Sequence, residues 1–237
     1  GASVAFTVQV RERPFIGFYT NGVFASSDTN FTWTGISANG ELSAVFETRT
    51  WHVNASRPDE LGDGQSWASA KKTIQAAVDL ALAGDTVLVT NGTYDVGTVT
   101  TPGFSLKNRV VITKPITVKS VNGRSTTIIK GAGSSAYGTS SAIRCVYMTD
   151  GILDGFTIQN GSTYSTSQSS SYKDNSGGGV CTYGYAEIRN CLISSCKAVD
   201  GAGLFYGTLT NCTLNSNTAT GRGGGACQST LHTCTLT

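Results

Sequence analysis

The phrases "AEIRNCLISSC", "GTLTNCTLNSNT" and "STLHTCTLT" follow one another within residues 186–237 and share one plan. Aligned with the upstream phrase "GILDGFTIQNG", they put Phe156, Cys191, Cys212 and Cys234 at one position. Ile158, Ile193, Leu214 and Leu236 fall two residues later, and Leu153, Ile188, Leu209 and Leu231 three earlier. The period is about 21–24 residues, the range of solenoid repeats. A unit this short cannot bury its apolar face alone, but stacked on like units it can. In a parallel stack each strand bonds to the next at about 4.8 Å, so one sequence position becomes a column through the core. Phe156, Cys191, Cys212 and Cys234 are therefore expected to form one inward column, with cysteine packing as a small hydrophobe. Asn190 and Asn211 then point the other way or occupy a corner. The glycine groups Gly177–Gly179, Gly201 with Gly203, and Gly223–Gly225 are read as tight bends between faces.

Composition narrows the partners. Charged residues make up 14% of the chain and the formal net charge is +2, with no Lys/Arg cluster. That is a poor footprint for nucleic acid. No apolar run approaches the roughly 18 residues of a membrane helix. The seven cysteines are an odd number and include no CxxC pair, so no metal site and no cofactor are expected. Most of these thiols are read as buried and free, with Cys181–Cys227 or Cys191–Cys196 as candidate bridges.

Three textures divide the chain. Residues 1–48 read as a small β module, with strands in "VAFTVQV", "FIGFYT", "NFTWTGI" and "ELSAVFE" and turns at Asn21-Gly22 and Asn39-Gly40. In the last strand Leu42, Ala44 and Phe46 alternate with polar residues. Residues 49–95 contain a short strand, a polar loop, and a helix of about three turns that Ser66 or Ser69 caps and that runs to Leu82. Its apolar face is Ile74, Ala77, Val78, Ala81 and Leu82. Gly84 ends it and "DTVLVT" follows as a buried strand. Residues 96–237 are the coils, interrupted by the Ser/Thr-rich insertion "STYSTSQSSSYKDNSGG".

The segment "DGQSWASAKKTIQAAVDLALAGDTVLVTNGTY" resembles the opening of pectate-lyase-like parallel β-helices. That resemblance implies an all-β, right-handed parallel β-helix whose first coil is covered by an amphipathic capping helix. The repeats of residues 177–237, with their "GGG" and "NCT" steps, resemble those of bacterial polymorphic outer-membrane proteins and related surface β-helices. The ending "FTWTGISANGELSAVFE" of the first module is similar to the tail of internalin-type B repeats, which implies a partial module completed by a neighbour.

The sequence offers no catalytic constellation. A lyase of this superfamily needs a carboxylate cluster for calcium and a basic residue, and a hydrolase needs paired acids. Asp150, Asp154 and Asp200 read as turn formers. Arg124, Arg144, Arg189 and Arg222 read as residues of a solvated outer face. His52 and His232 are remote from one another and are read as surface residues. Asn30, Asn54, Asn91, Asn160 and Asn211 head Asn-x-Ser/Thr sequons, of which Asn30, Asn54 and Asn160 are the glycosylation candidates. The insertion is read as a carrier of O-linked sugars or a mobile segment. Tyr183, Tyr185, Phe205 and Tyr206 lie in comparable stretches of successive coils. They are candidates to stack on sugar rings, against the alternative of core or corner packing.

These features point to a non-enzymatic, secreted and processed structural or adhesive protein at a bacterial cell surface. Its expected partners are further copies or other surface proteins, met head-to-tail through open β ends, and glycans. A polysaccharide lyase or glycosidase fragment and a carbohydrate-binding module are the alternatives.

Overall fold

The computed structural model describes residues 1–9, 13–36, 39–133, 141–165 and 171–237. Val10 of the first expected strand and residues 166–170 of the insertion lie outside them. The chain divides into two compact units, Gly1–Arg49 and Thr50–Thr237.

The smaller unit holds two antiparallel sheets. Ala2–Thr7 pairs with Asn30–Ile36, while Phe15–Thr20 lies between Val23–Ser26 and Leu42–Phe46. Asn21 and Gly22 both have positive φ, 49° and 79°, the conformation of a two-residue hairpin turn. The strand Val23–Ser26 was not among the expected ones; it follows directly from that turn. The alternation read into Leu42, Ala44 and Phe46 does not hold, because Ala44 is exposed. The strand Phe15–Thr20 is bulged between Phe15 and Gly17. Phe18 is the one buried apolar side chain among the described residues of this unit. It meets Phe15 edge-on at 5.0 Å and stacks on Phe31 of the other sheet at 5.3 Å.

The larger unit is a parallel β-helix, coiling right-handed as parallel crossovers do. Each complete coil contributes one short strand to each of three faces, while the first contributes only to the second face. The first face runs through Lys107–Ile112, Ile143–Met148, Val180–Thr182, Leu204–Phe205 and Ala226–Cys227. The second begins at Thr50–Val53 and continues through Thr86–Val89, Thr117–Ser120, Ile152–Asp154, Glu187–Arg189, Thr208–Thr210 and Thr230–His232. The third runs from Gly92–Tyr94 through Thr127–Lys130, Thr157–Gln159, Leu192–Ser194 and Thr213–Asn215 to Thr235–Leu236.

Register turns these strands into columns. Trp51, Val87, Val118, Leu153, Ile188, Leu209 and Leu231 are successive partners on the second face. Tyr94, Ile129, Ile158, Ile193, Leu214 and Leu236 are successive partners on the third. Between the two faces the chain turns on one left-handed residue per coil, Gly155, Asn190, Asn211 and Thr233, with φ of 84°, 53°, 55° and 51°. Asparagine tolerates this conformation better than most residues, and here its amide also pairs vertically. Asn211 Nδ2 donates to Asn190 Oδ1 at 2.7 Å, and Asn190 Nδ2 to Asp154 Oδ1 at 2.7 Å. The residue after each corner turns inward. Cys191 and Cys212 are buried, and the Phe156 and Cys191 amides each face the thiol of the next coil at 3.4 Å. Cys234 packs against the same core from a half-buried position. One position of the glycine groups is dictated by close approach: a Cβ on Gly203 would collide with the carbonyl oxygen of Gly225 in the next coil.

An open β-helix end exposes unpaired backbone groups, and the first coil manages this with side chains. The helix is α1, Ile74–Leu80, shorter than the three turns expected. Thr73 caps it, accepting from the Ala76 amide. Ser66 and Ser69 do not, because their hydroxyls are taken up with each other and with Asp63 in the preceding loop. Glu60 supports the same end, its two oxygens accepting from the Lys72 and Thr73 amides at 2.8 Å each. Ile74, Ala77 and Val78 enter the core. Gln75 then substitutes for a missing strand, its Oε1 accepting from the Val111 amide at 2.7 Å and its Nε2 donating to the Val111 carbonyl at 3.3 Å. At the other end of α1, Lys114 Nζ donates to the carbonyls of Val78, Asp79 and Ala81 at 2.7–3.0 Å. These are carbonyls that a helix end leaves without partners.

Two substitutions test the columns. Ile193→Ala is expected to lower the unfolding free energy by about 2–5 kcal/mol in urea. Gly203→Ala is expected to lower it by about 1–3 kcal/mol through overpacking against the next coil. A change under about 0.5 kcal/mol at both sites, the size of an ordinary surface substitution, would contradict the stacking.

Candidate functional site

The outward side of the first face is where the structure departs most from a plain solenoid. Its outward column, Val111, Tyr147, Cys181 and Phe205, is buried rather than solvated. The cover includes the insertion, whose described part is packed and not loose. Ser162, Thr163, Asp174, Asn175 and Ser176 are all buried. The insertion contains one helical turn, Tyr172–Asn175, capped by Ser171.

Two charged residues hold this cover down. Arg144 is fully buried, which corrects its reading as a solvated surface residue. Its guanidinium donates to the carbonyls of Gly177, Lys173 and Ser176, to Asn108 Oδ1 and to Thr101 Oγ1. Burial lowers its pKa below the ordinary arginine value, and the acceptors supply what water no longer does. Asp174, in the insertion, accepts from the amides of Ser105 and Leu106 at 3.1 and 2.9 Å. A lone Arg and a lone Asp in sequence gave no signal of this; the contacts of each depend on the tertiary placement of the insertion.

An aromatic rim lies at the edge of the cover. Tyr172 stacks on Tyr183, centroids 5.7 Å apart and planes 24° apart. Tyr183 meets Tyr206 edge-on at 5.6 Å, and Tyr206 meets Phe205 at 4.7 Å. Lys173 Nζ lies 4.7 and 4.8 Å from the ring centroids of Phe104 and Tyr183, within cation–π range. Tyr172 and Tyr183 are 39% and 43% exposed, so both residues are accessible from solvent. The Tyr172 phenol is pushed up to about 12, first by its hydrogen bond with Tyr183 and then by burial. It is therefore a neutral hydroxyl at physiological pH.

Of the four sequence candidates, Tyr183, Phe205 and Tyr206 thus come together. Phe205 is buried beneath the other two. Tyr185, two residues on, projects outward, 93% exposed. It lies between two open hollows, one of about 290 Å³ shared with Asp150 and Ile152 and one of about 400 Å³ shared with Thr208 and His232. Tyr172 was missed because the Ser/Thr-rich texture around it reads as a loop.

The other candidates have local roles. Asp150 accepts from the Gly151 amide and Asp200 from the Arg222 amide. Asp154 anchors the asparagine ladder. Arg124 donates to the Cys191 carbonyl, and Arg189 pairs with Glu187, holding that carboxyl below its usual range. His52 packs edge-on to Trp67 at 4.4 Å, and His232 is exposed on the last coil. No group of three or more metal-ligating side chains occurs among the described residues. All seven cysteines are free, so neither candidate bridge is present. Cys181 and Cys227 are separated by Phe205 in their column. Burial raises the pKa of the Cys145, Cys181 and Cys191 thiols.

Of the glycosylation candidates, Asn30 and Asn160 are exposed and Asn54 is half-buried, its side chain accepting from the Ser56 amide at 2.9 Å. Asn211 is committed to the corner ladder and Asn91 to Asn122 and Thr126. No helix among the described residues is long and apolar enough to cross a membrane.

Replacing Arg144 with Met leaves several buried acceptors without donors, each worth about 1–3 kcal/mol. The expected result is a lower melting temperature and new tryptic cleavage after Lys173. An unchanged melting curve with Lys173 still protected would contradict the role given to Arg144. The native thiols are expected to react with Ellman's reagent in order of burial: Cys227 and Cys234 first, the other five only on unfolding. Rapid modification of Cys191 in the folded protein would contradict its placement.

No protein-family model matches the chain, and no curated protein is detectably similar to it. Among solved structures, a pectin methylesterase mutant in complex with a hexasaccharide is similar, with a TM-score of 0.40 and 17% sequence identity. The likeness covers 73% of this chain and 57% of that one, so the chain spans little more than half that protein's length.

Proposed function

We propose that this protein is a non-catalytic, extracellular β-helical surface module that binds carbohydrate along its tyrosine rim. The observation that carries this reading is the half-exposed stack of Tyr172 on Tyr183, flanked by Tyr206 and seated on a buried aromatic layer. Tyrosine suits such a role because it joins a large apolar face to a polar hydroxyl and loses little conformational entropy on binding. The β-helix holds the rings in place before any ligand arrives, which reduces the ordering cost of association. Tyr185 extends the same turn outward beside two hollows lined by hydroxyl and carboxylate groups. Deep burial of five unpaired thiols is compatible with an oxidising exterior, because access as well as pKa governs thiol reactivity.

Glycan-array screening followed by calorimetry tests the proposal. Binding of at least one oligosaccharide is expected, weakened about tenfold or more, or about 1.4 kcal/mol, by Tyr183→Ala and by Tyr206→Ala. Their melting temperatures, measured alongside, separate loss of contact from loss of fold. Absence of glycan binding, or binding indifferent to both folded variants, would refute it.

A further inference from the structure

Where the first face turns into the second, successive coils use corners of different length. Residues 149–151, 183–186 and 206–207 join their strands with three, four and two residues. The middle corner is the longest of these, and it carries Tyr185 outward to 93% exposure. Its backbone is nevertheless fixed. The Tyr183 and Tyr185 amides donate to the Met148 and Thr149 carbonyls of the preceding coil at 2.8 and 3.2 Å. A Cβ on Gly184, at φ 108°, would stand 2.4 Å from that Thr149 oxygen, so the corner closes down on the coil before it. The ring is thereby presented on a rigid stem, with a hollow on each side.

The lining of these hollows sets the charge of what they accept. Neither contains a lysine or an arginine. The hollow of about 290 Å³ has two carboxylates, Asp150 and Glu187. Glu187 is neutralised from outside it, because both of its oxygens accept from Arg189. Asp150 is not: it accepts from the Gly151 amide at 2.7 Å, and among the described residues no positively charged side chain is paired with it. Lys114, whose carbonyl approaches Gly151, directs its ammonium to the end of α1 instead. His232 lines only the second hollow. A half-buried carboxylate without a counterion attracts a cation more strongly than an open surface does. The Tyr185 ring beside it offers a π face to the same cation and a flat apolar surface to a sugar ring.

We infer that the hollow between Asp150 and Tyr185 binds an amino sugar, its ring stacked on Tyr185 and its ammonium group paired with Asp150. The inference rests on the reading of this protein as a glycan binder and adds the charge of the glycan, a cationic saccharide rather than an acidic one. The Lys173 ammonium at the rim lies against the Phe104 and Tyr183 rings and lines neither hollow.

Calorimetry of the full chain with a glucosamine tetrasaccharide and with its fully N-acetylated counterpart tests this, at a mildly acidic pH where the free amine is protonated. Acetylation removes the charge and keeps the ring. The glucosamine form is expected to bind at least about tenfold more tightly. Asp150→Asn retains an acceptor for the Gly151 amide and is expected to abolish that preference. Asp95→Asn, which removes an exposed carboxylate elsewhere, is expected to leave it intact. Tyr185→Ala is expected to weaken both forms at least about tenfold without lowering the melting temperature, because the ring is exposed. Equal affinity for the two forms, or a preference that survives Asp150→Asn, would overturn the inference. The rim is judged separately. If a glycan-array ligand binds and is lost in Tyr183→Ala while the glucosamine form does not bind, the amino-sugar site falls and the rim stands. If glucosamine binding is lost in Asp150→Asn but is indifferent to Tyr183→Ala and Tyr206→Ala, the amino-sugar site stands without the rim.

Discussion

Everything in the larger unit depends on in-register hydrogen bonding between one coil and the next. Because side chains alternate along a strand, a slip of one residue would move Ile188, Leu209 and Leu231 from the core to solvent. It would also put Asn211 opposite a strand position instead of Asn190. The asparagine corner, the inward cysteines and the apolar columns are therefore one constraint seen from three sides. The vertical amide ladder is local and polar, and it fixes the register that the apolar columns reward.

Parallel stacking creates two liabilities, an exposed end and outward faces with nothing to pack against. The end is closed by side chains that imitate backbone. Gln75 takes the place of a strand beside Val111, and Lys114 supplies donors to the last carbonyls of α1. On the first face the liability became a second, smaller core. Val111, Tyr147, Cys181 and Phe205 lie under a cover held by Arg144 and Asp174. That second core gives the tyrosine rim a rigid floor. Fold and proposed function meet there: the same insertion that interrupts the repeat supplies Tyr172 and Lys173.

The repeat was legible because its period, its inward cysteines and its αL asparagines all repeat within sixty residues of sequence, and each has a local physical cause. The capping helix was legible as an element but not in its limits. Ser66 and Ser69 satisfy the usual composition of a cap, yet their hydroxyls are claimed by each other and, for Ser69, by Asp63, and only tertiary structure shows that. Arg144 was misread for a similar reason. An isolated arginine looks solvated until the insertion folds over it and presents carbonyl oxygens. Of the candidate site, the rings of Tyr183, Phe205 and Tyr206 could be grouped from the repeat alignment. Tyr172 could not, because it lies in the insertion, which the repeat itself does not align.

The most direct measurement of the stack is the scalar coupling transmitted across its corner hydrogen bonds. The Asn190 amide donates to the Thr210 carbonyl and the Asn211 amide to the His232 carbonyl, each at 3.0 Å. Trans-hydrogen-bond nitrogen–carbonyl couplings in the deuterated protein should connect those two pairs, with slow exchange of both amides. Couplings that instead join these amides to antiparallel neighbours, or fast exchange with no coupling at either corner, would contradict the parallel, in-register architecture.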